Sequence, residues 1–312
     1  MKRFDISVLG ELNSDLILYG LPAELEPERE HLAKGFSLTL GSSSAIFAHN
    51  ISLLGSRVGF TSCIGGDPLG EFCVERLSES GVDVSGVKRL PGKNTGVTVI
   101  LPLAGKRQIL TYPGTTFDLD HTHLDLEYLR DAAHFHLSSF FLLRALRPTL
   151  SRLFSQMKQA GLTTSLDTND DPEDLWASDV EEVLKNVDVF VPNEHEACRV
   201  AGTSDVGSAL DALSRLVPIV VIKCGAQGVL AKRGNERFRA ASLSVQPVDA
   251  VGAGDSFNAG FLHKFIHGSG LQECLEYGNV AAGLSTTRAG GTEAFRDRQH
   301  RDAFLQRHVK AH

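Results

Sequence analysis

Cysteine is scarce in this chain of 312 residues. The five that occur, Cys63, Cys73, Cys198, Cys224 and Cys274, are odd in number, far apart and free of any CxxC pair. That excludes a disulfide framework and a zinc knuckle, and it points to a reducing cytoplasm. Long apolar runs are missing too, since no stretch reaches the roughly 18 residues that a membrane helix needs. Met1 to Val8 reads as a strand running into Gly10, with no leader-like apolar segment, so neither secretion nor membrane insertion is expected. Positive charge is in deficit, with 31 Lys+Arg against 38 Asp+Glu and a net charge of −7. The basic residues are scattered, which excludes a nucleic-acid partner. No repeat, low-complexity tract or long Pro/Gly/Ser linker interrupts the sequence, so residues 1–312 are expected to form one domain. Hydrophobic residues make up 42%, and a chain this long buries about 75% of its unfolded surface, enough to fold without a metal or disulfide staple.

The second half alternates β-rich and helical patterns. Ala133 to Leu137, Thr163 to Asp167, Val187 to Val191 and Val217 to Lys223 read as strands, with a helix over Pro148 to Gly161. Strand–helix–strand alternation predicts a parallel sheet covered on both faces. Ligands of such sheets sit beyond the carboxyl ends of the strands, which directs attention to Asp167 and Asn193. Two segments break the rhythm, residues 12–40 and 94–116, where the sequence alternates and turns. They are expected to pair into a small sheet that covers the carboxyl edge as a lid; surface hairpins without a role are the plainer alternative.

The densest signal is Asp249 to Gly260, DAVGAGDSFNAG. Gly252 and Gly254 clear side chains from a turn, and a helix starting near Asp255 aims its unsatisfied amides and positive dipole end at the same point, which makes a phosphate cradle. A carboxylate beside an anion site is repulsive unless it must take a proton from an attacking hydroxyl, so Asp255 points to phosphoryl transfer. The competing reading makes Asp255 only the cap of its helix.

Asp249 to Leu262 resembles the second signature of the ribokinase-like (PfkB) carbohydrate kinases, DTxGAGDxFxAG. Further matches follow in that family's order: GELNSDLIL at 10–18, GGDPLG at 65–70, PNEHEA at 192–197, KCGAQG at 223–228 and GNVAAGLSTTRAGG at 278–291. The resemblance implies a three-layer αβα sandwich with a mostly parallel central sheet and a small β-sheet lid, and ATP as phosphoryl donor with Mg2+. It makes Asp255 the catalytic base and Gly252, Ala253 and Gly254 the anion hole. It assigns Asn13 and Asp15, with Gly41, Ser42 and Ser43, to the acceptor's hydroxyls. Asn193 and Glu196 fall on its NxxE motif, which organises Mg2+ through water. Asn193, Lys223, Gly225, Gly228 and Asn279 fall beside the nucleotide. Asp249, with carbonyls near Val251, Ser285 and Gly290, falls where many members bind a monovalent cation, implying K+.

One departure stands out. The family's GGxxxN signature reads Gly41-Ser42-Ser43-Ser44-Ala45-Ile46 here, so Ser42 and Ser43 offer hydroxyls where bare backbone is usual. That alters which sugar fits and leaves the phosphoryl machinery alone. Fructose, ribose and 2-keto-3-deoxygluconate all suit the pattern, with Arg107 as the cation for the last one's carboxylate. A nucleoside kinase would need a slot for the base, built from Phe36, Phe117 and Tyr112. A sugar-binding protein without catalysis would not need Asp255, Asn193 and Glu196 together. A lid with an open strand edge favours a homodimer that hides it. His121 with His123, and His134 with His136, have a metal-like HxH spacing but no third ligand nearby.

Overall fold

The structure is a computed structural model, described over residues 2–103, 106–176 and 179–309. Its strands are β1 (Phe4–Leu9), β2 (Ser14–Tyr19), β3 (Gly35–Leu40), β4 (Val58–Gly65), β5 (Asp83–Leu90), β6 (Val97–Leu103), β7 (Lys106–Tyr112), β8 (Ala132–Ser138), β9 (Thr163–Asp167), β10 (Val189–Phe190), β11 (Ile219–Lys223), β12 (Val229–Arg233) and β13 (Glu236–Ala240). Nine of them form one sheet in the order β13-β12-β11-β10-β9-β8-β1-β4-β5, parallel except at β12. The inner strands β1, β4 and β8 to β11 are almost wholly buried, as strands covered on both faces require, while the edge strands β5 and β13 are largely exposed.

On one face lie α1 (Ser43–Leu53), α2 (Pro68–Glu79) and, from later in the chain, the pair Ala253–Ile266 and Leu271–Ser285. The other face carries α3 (Leu126–Arg130), α4 (Leu150–Gln159), α5 (Asp179–Leu184), α6 (Glu194–Ala201) and α7 (Val206–Leu213). The pair Ala253–Ile266 and Leu271–Ser285 is α8 and α9, and α10 (Glu293–Arg296) and α11 (Arg298–His308) finish the chain. This is the expected αβα sandwich. No helix among the described residues is long and apolar enough to cross a membrane.

The two irregular segments do pair. They make a four-stranded sheet, β3-β2-β6-β7, in which β2 and β6 run parallel and join the two hairpins. Ile17 and Ile100 of this sheet pack on Val251, just ahead of the glycines of DAVGAGD. Strands added after β1 extend the main sheet one way and β8 to β11 extend it the other, so the order reverses between β1 and β8. Crevices form at such reversals, beyond the carboxyl ends.

The two HxH pairs are placed differently, and only the first departs from the strand its spacing suggests. His121 and His123 lie in a 3-10 turn, His121–His123, and not on a strand; Asp120 caps that turn through the amide of Thr122. His134 and His136 are on β8 as read, and all four ring nitrogens meet hydroxyls, of Thr163, Ser165 and Ser138, at 2.7–2.9 Å. A fully hydrogen-bonded buried imidazole is a structural element and has no lone pair to spare for a metal.

Candidate active site

α8 begins at Ala253, two residues earlier than the sequence suggests, with Gly252 as its cap at φ 71°. A side chain at Gly252 would meet the Gly291 backbone at 2.6 Å, so the glycine is needed both for its left-handed backbone and for that close approach. The amides of Gly254 and Asp255 find no backbone acceptor among the described residues, as expected in a first helical turn. They open into a cleft of about 620 Å³ together with the Asp255 carboxyl. Burial and the nearby Asp167 raise Asp255 to about 7, against the pull of Lys223 and of a hydrogen bond from Ser43.

Lys223 ends β11 and Asp167 ends β9, and their side chains meet at 2.6 Å with Asp167 fully buried. Asn258 of α8 completes the set by donating to Asp167 and accepting from Lys223 at 3.3 Å. Burial works against the ammonium, but Asp167, Glu196 and Asp255 outweigh it and hold Lys223 above its ordinary range. Its Nζ stands 3.6 Å from where a Gly254 side chain would begin, beside the amide cradle.

Asp15 enters from β2, nine-tenths buried, and the carboxyl lies so close to Gly41 that a Cβ there would fall 2.1 Å from Oδ1. Burial, then Asp255, Glu11 and Asp249, push Asp15 up to about 7. Asn13 knots the base of the lid. Its amide nitrogen donates to Ser42 Oγ at 2.8 Å, its carbonyl accepts from Gly41 at 3.0 Å, and its Oδ1 accepts from Thr116 at 3.1 Å. Ser42 therefore uses its oxygen on the backbone, at a left-handed φ of 68°. Asn193 and Glu196 form a capping box at the start of α6, each side chain bonded to the other's amide at 2.9 Å. Burial and Asp167 raise Glu196.

One cleft thus gathers Asn13, Asp15, Ser42, Ser43, Arg107, Asn193, Glu196, Lys223, Gly225 and Gly252 to Asp255. Arg107 reaches it from the exposed strand β7 of the lid sheet. Ile46, at the altered signature position, lines it too and packs against Gly252 and Gly291. Other expected residues stand outside. Gly228 makes a tight turn against Ala240, and Asn279 donates to the Ala241 carbonyl in a separate cavity of about 590 Å³. Asp249 braces the cleft from behind, accepting from the amides of Val251 and Gly290 at 3.0 Å each. Phe36 and Tyr112 sit on opposite outer strands of the lid and Phe117 lies under Arg144, so the three do not form a slot. The cleft also holds Glu11, Ser139 and Asn169, which the sequence reading missed. Their signal is positional, since each directly follows a strand of the main sheet or lies two residues beyond its end.

The sequence matches the pfkB family of carbohydrate kinases over residues 3–298. The chain belongs to that family. It is 27% identical to the ribokinase of Haemophilus influenzae over 97% of this chain and 99% of that protein. It is 30% identical to the cytidine kinase of Thermococcus kodakarensis, covering 88% and 93%. A crystal structure of an E. coli protein in complex with ATP and Mg2+ superposes with a TM-score of 0.86 at 26% identity, covering 98% of this chain and 100% of that one. As a pfkB-family kinase, the chain is a phosphotransferase whose cleft has to bring a phosphoryl donor and a hydroxyl acceptor together.

Proposed function

We propose that this pfkB-family chain transfers the γ-phosphoryl group of ATP to a hydroxyl, most simply a primary one, of a monosaccharide such as fructose, ribose or 2-keto-3-deoxygluconate. The observation that carries this reading is the Asp255 carboxyl at the mouth of an amide cradle, with the Asp15 carboxyl facing it from the lid side. Asp255 takes the acceptor's proton as its oxygen attacks phosphorus. The amides at the start of α8 and the Lys223 ammonium stabilise the charge on the transferring group. Asp15 and Asn13 hold further hydroxyls, and Arg107 supplies the cation for an acidic acceptor. Closure of the β3-β2-β6-β7 sheet excludes water from the transfer.

Mg2+ bound to the donor phosphates supplies charge neutralisation and in-line geometry. Among the described residues no cluster of three His, Cys, Asp or Glu forms a direct metal cage. That fits an ion carried by phosphate and water, with Asn193 and Glu196 ordering the water. K+ would lie among the carbonyls of the loop that Asp249 braces, where the buried Ser285 hydroxyl has no partner. The lid's exposed outer strands favour a homodimer formed through the lid, in a reducing cytoplasm.

The test is ADP release from Mg·ATP against ketoses, aldoses, keto-deoxy acids and nucleosides, in K+ and in its absence, with Asp255→Asn alongside. Turnover with one sugar that falls by about 10³-fold or more in the variant is the expected result. Sugar binding without turnover in the unaltered protein would instead leave a binding protein.

A further inference from the structure

Asn169, two residues beyond β9, lines the cleft from the main-sheet side at a left-handed φ of 54°, a backbone that asparagine tolerates better than most residues. Its side chain is a fork: Nδ2 donates to Ser43 Oγ and, at 2.8 Å, to Ser139 Oγ. Which end of the amide points where is decided by the next link. Ser139 gives its single proton to Glu11 Oε1 at 2.6 Å, so toward Asn169 its oxygen can only accept. A reversed amide would set Oδ1 against a hydroxyl with no proton left to offer. Glu11 is itself held in place, because Oε1 also accepts from the Ser43 amide and Oε2 from Ser44 Oγ, both at 2.9 Å. Both hydrogens of the Asn169 amide are thus engaged inside the protein, and Oδ1 has no donor among the described residues. The residue is half-buried, so this oxygen is what it presents to the cleft.

We propose that Asn169 is a specificity-determining residue for the acceptor: Oδ1 accepts a hydrogen bond from a sugar hydroxyl on the main-sheet side of the cleft, across from Asp15 on the lid strand β2. The inference rests on the sugar-kinase reading and narrows it to acceptors that keep a hydroxyl at this point. A deoxy carbon there leaves Oδ1 desolvated and unpaired. A keto or carboxylate oxygen, which can only accept, meets a second acceptor. The two cations that line the cleft do not relieve that clash, since Lys223 is engaged by Asp167 and Asn258 and Arg107 stands on the lid strand β7. The fork makes the discrimination stiff. The amide cannot turn its NH2 toward the ligand without giving up both serines, and a site built to pair a hydroxyl rejects the analogue that lacks it.

Asn169→Gly is the informative change, because glycine keeps the left-handed backbone without strain and removes the amide. ADP release from Mg·ATP is followed with whichever of fructose, ribose and 2-keto-3-deoxygluconate turns over fastest, and with forms of that sugar lacking one hydroxyl each. In Asn169→Gly the parent sugar is expected to lose about tenfold or more in kcat/KM, through its own KM, with KM for ATP within about twofold. One deoxy form should lose nothing, because its missing hydroxyl is the partner of Oδ1. A residue with only a structural role would lower all forms alike, so equal losses for the parent and every deoxy form would overturn the proposal. If the unaltered protein releases no ADP with any of the three sugars, the transfer reading falls, and calorimetric titration of the same sugars and deoxy forms reads the same pattern in Kd. A parent affinity that Asn169→Gly leaves within about twofold, or no sugar binding at all, would then overturn it. Should Asn169→Gly fail to fold, Asn169→Asp decides. A carboxylate accepts more strongly than an amide, so the disadvantage of one deoxy form should grow by about threefold or more over the others, and disadvantages unchanged throughout would overturn the assignment.

Discussion

Lys223 stands 56 residues from Asp167 in the chain and 2.6 Å from it in space. Breaking a buried pair by removing one partner leaves a stranded charge, which typically costs about 3–5 kcal/mol. Lys223→Met is therefore expected to lower stability by about that much in urea unfolding, and adding Asp167→Asn to it should recover most of the loss. If the double variant is as unstable as the single, the pair is not the reason. The Lys223 ammonium also flanks the cradle, so the rescued protein should stay slow in ADP release. Such a residue-scale arrangement is only half legible in sequence. Lys223 and Asp167 each stand out, one in a glycine-bracketed motif and one at a strand end, but sequence does not say that the two strands flanking β10 bring them together. Glu11, Ser139 and Asn169 were missed for the same reason. Each looks like a turn residue, and the chemistry lies in hydrogen bonds across 30 to 128 residues of chain. Ser42 illustrates the converse. Its hydroxyl is expected at the sugar, and it lines the cleft, but its oxygen also accepts from the Asn13 backbone amide at the base of the lid, which no sequence pattern records.

At the scale of elements, periodicity carried much of what was expected. Thr163–Asp167 matches its strand, Ala132–Ser138 and Ile219–Lys223 differ from expectation by one or two residues, and the helix over 148–161 is trimmed to Leu150–Gln159. Only Val189–Phe190 shrinks markedly, losing two residues at its start and one at its end, although the amides of Asp188 and Val191 still donate to β9. The lid was legible as two segments out of rhythm, while its parallel β2–β6 junction was not, since nothing local records which strand a hairpin meets. That junction places the hairpins so that β3 and β7 are the outer strands, with Phe36, Leu38, Ile109, Leu110 and Tyr112 exposed. A flat apolar edge of this kind invites strand pairing. Sedimentation should give a homodimer, and Leu110→Lys together with Tyr112→Lys should give protomers with the fold intact by circular dichroism. A protomer mass for the unaltered protein at micromolar concentration would remove the lid as an interface.

For the whole molecule, the active site and the core pull in opposite directions as pH changes. Burial keeps His49 and His263 down to about 4, His134 to about 3, and His136 well below its ordinary value. A histidine lowered in the folded state lends its full stability above about 6.5, the unfolded value, and loses it as the pH falls. Asp15 and Asp255, both raised to about 7, and Glu196, also raised, act the other way. The folded protein takes up their protons first, so acidification from pH 7 toward about 5 relieves the cost of their buried charge. Four protons gained by the unfolded chain oppose three gained by the folded one. By about pH 5 the unfolded chain's four histidine protons outnumber the three on the folded carboxyls, so stability falls as the pH drops toward 5. Asp255→Asn removes one carboxyl from the opposing set, so the loss on acidification becomes steeper. The same variant should be more stable than the unaltered protein at pH 8, where it no longer buries that charge, as expected if the proposed base is a site where stability has yielded to function. Urea unfolding of both proteins from pH 5 to 8 reads this directly. Parallel curves without a crossover would mean that Asp255 is ionised at its ordinary pH, and that the cleft does not tune it.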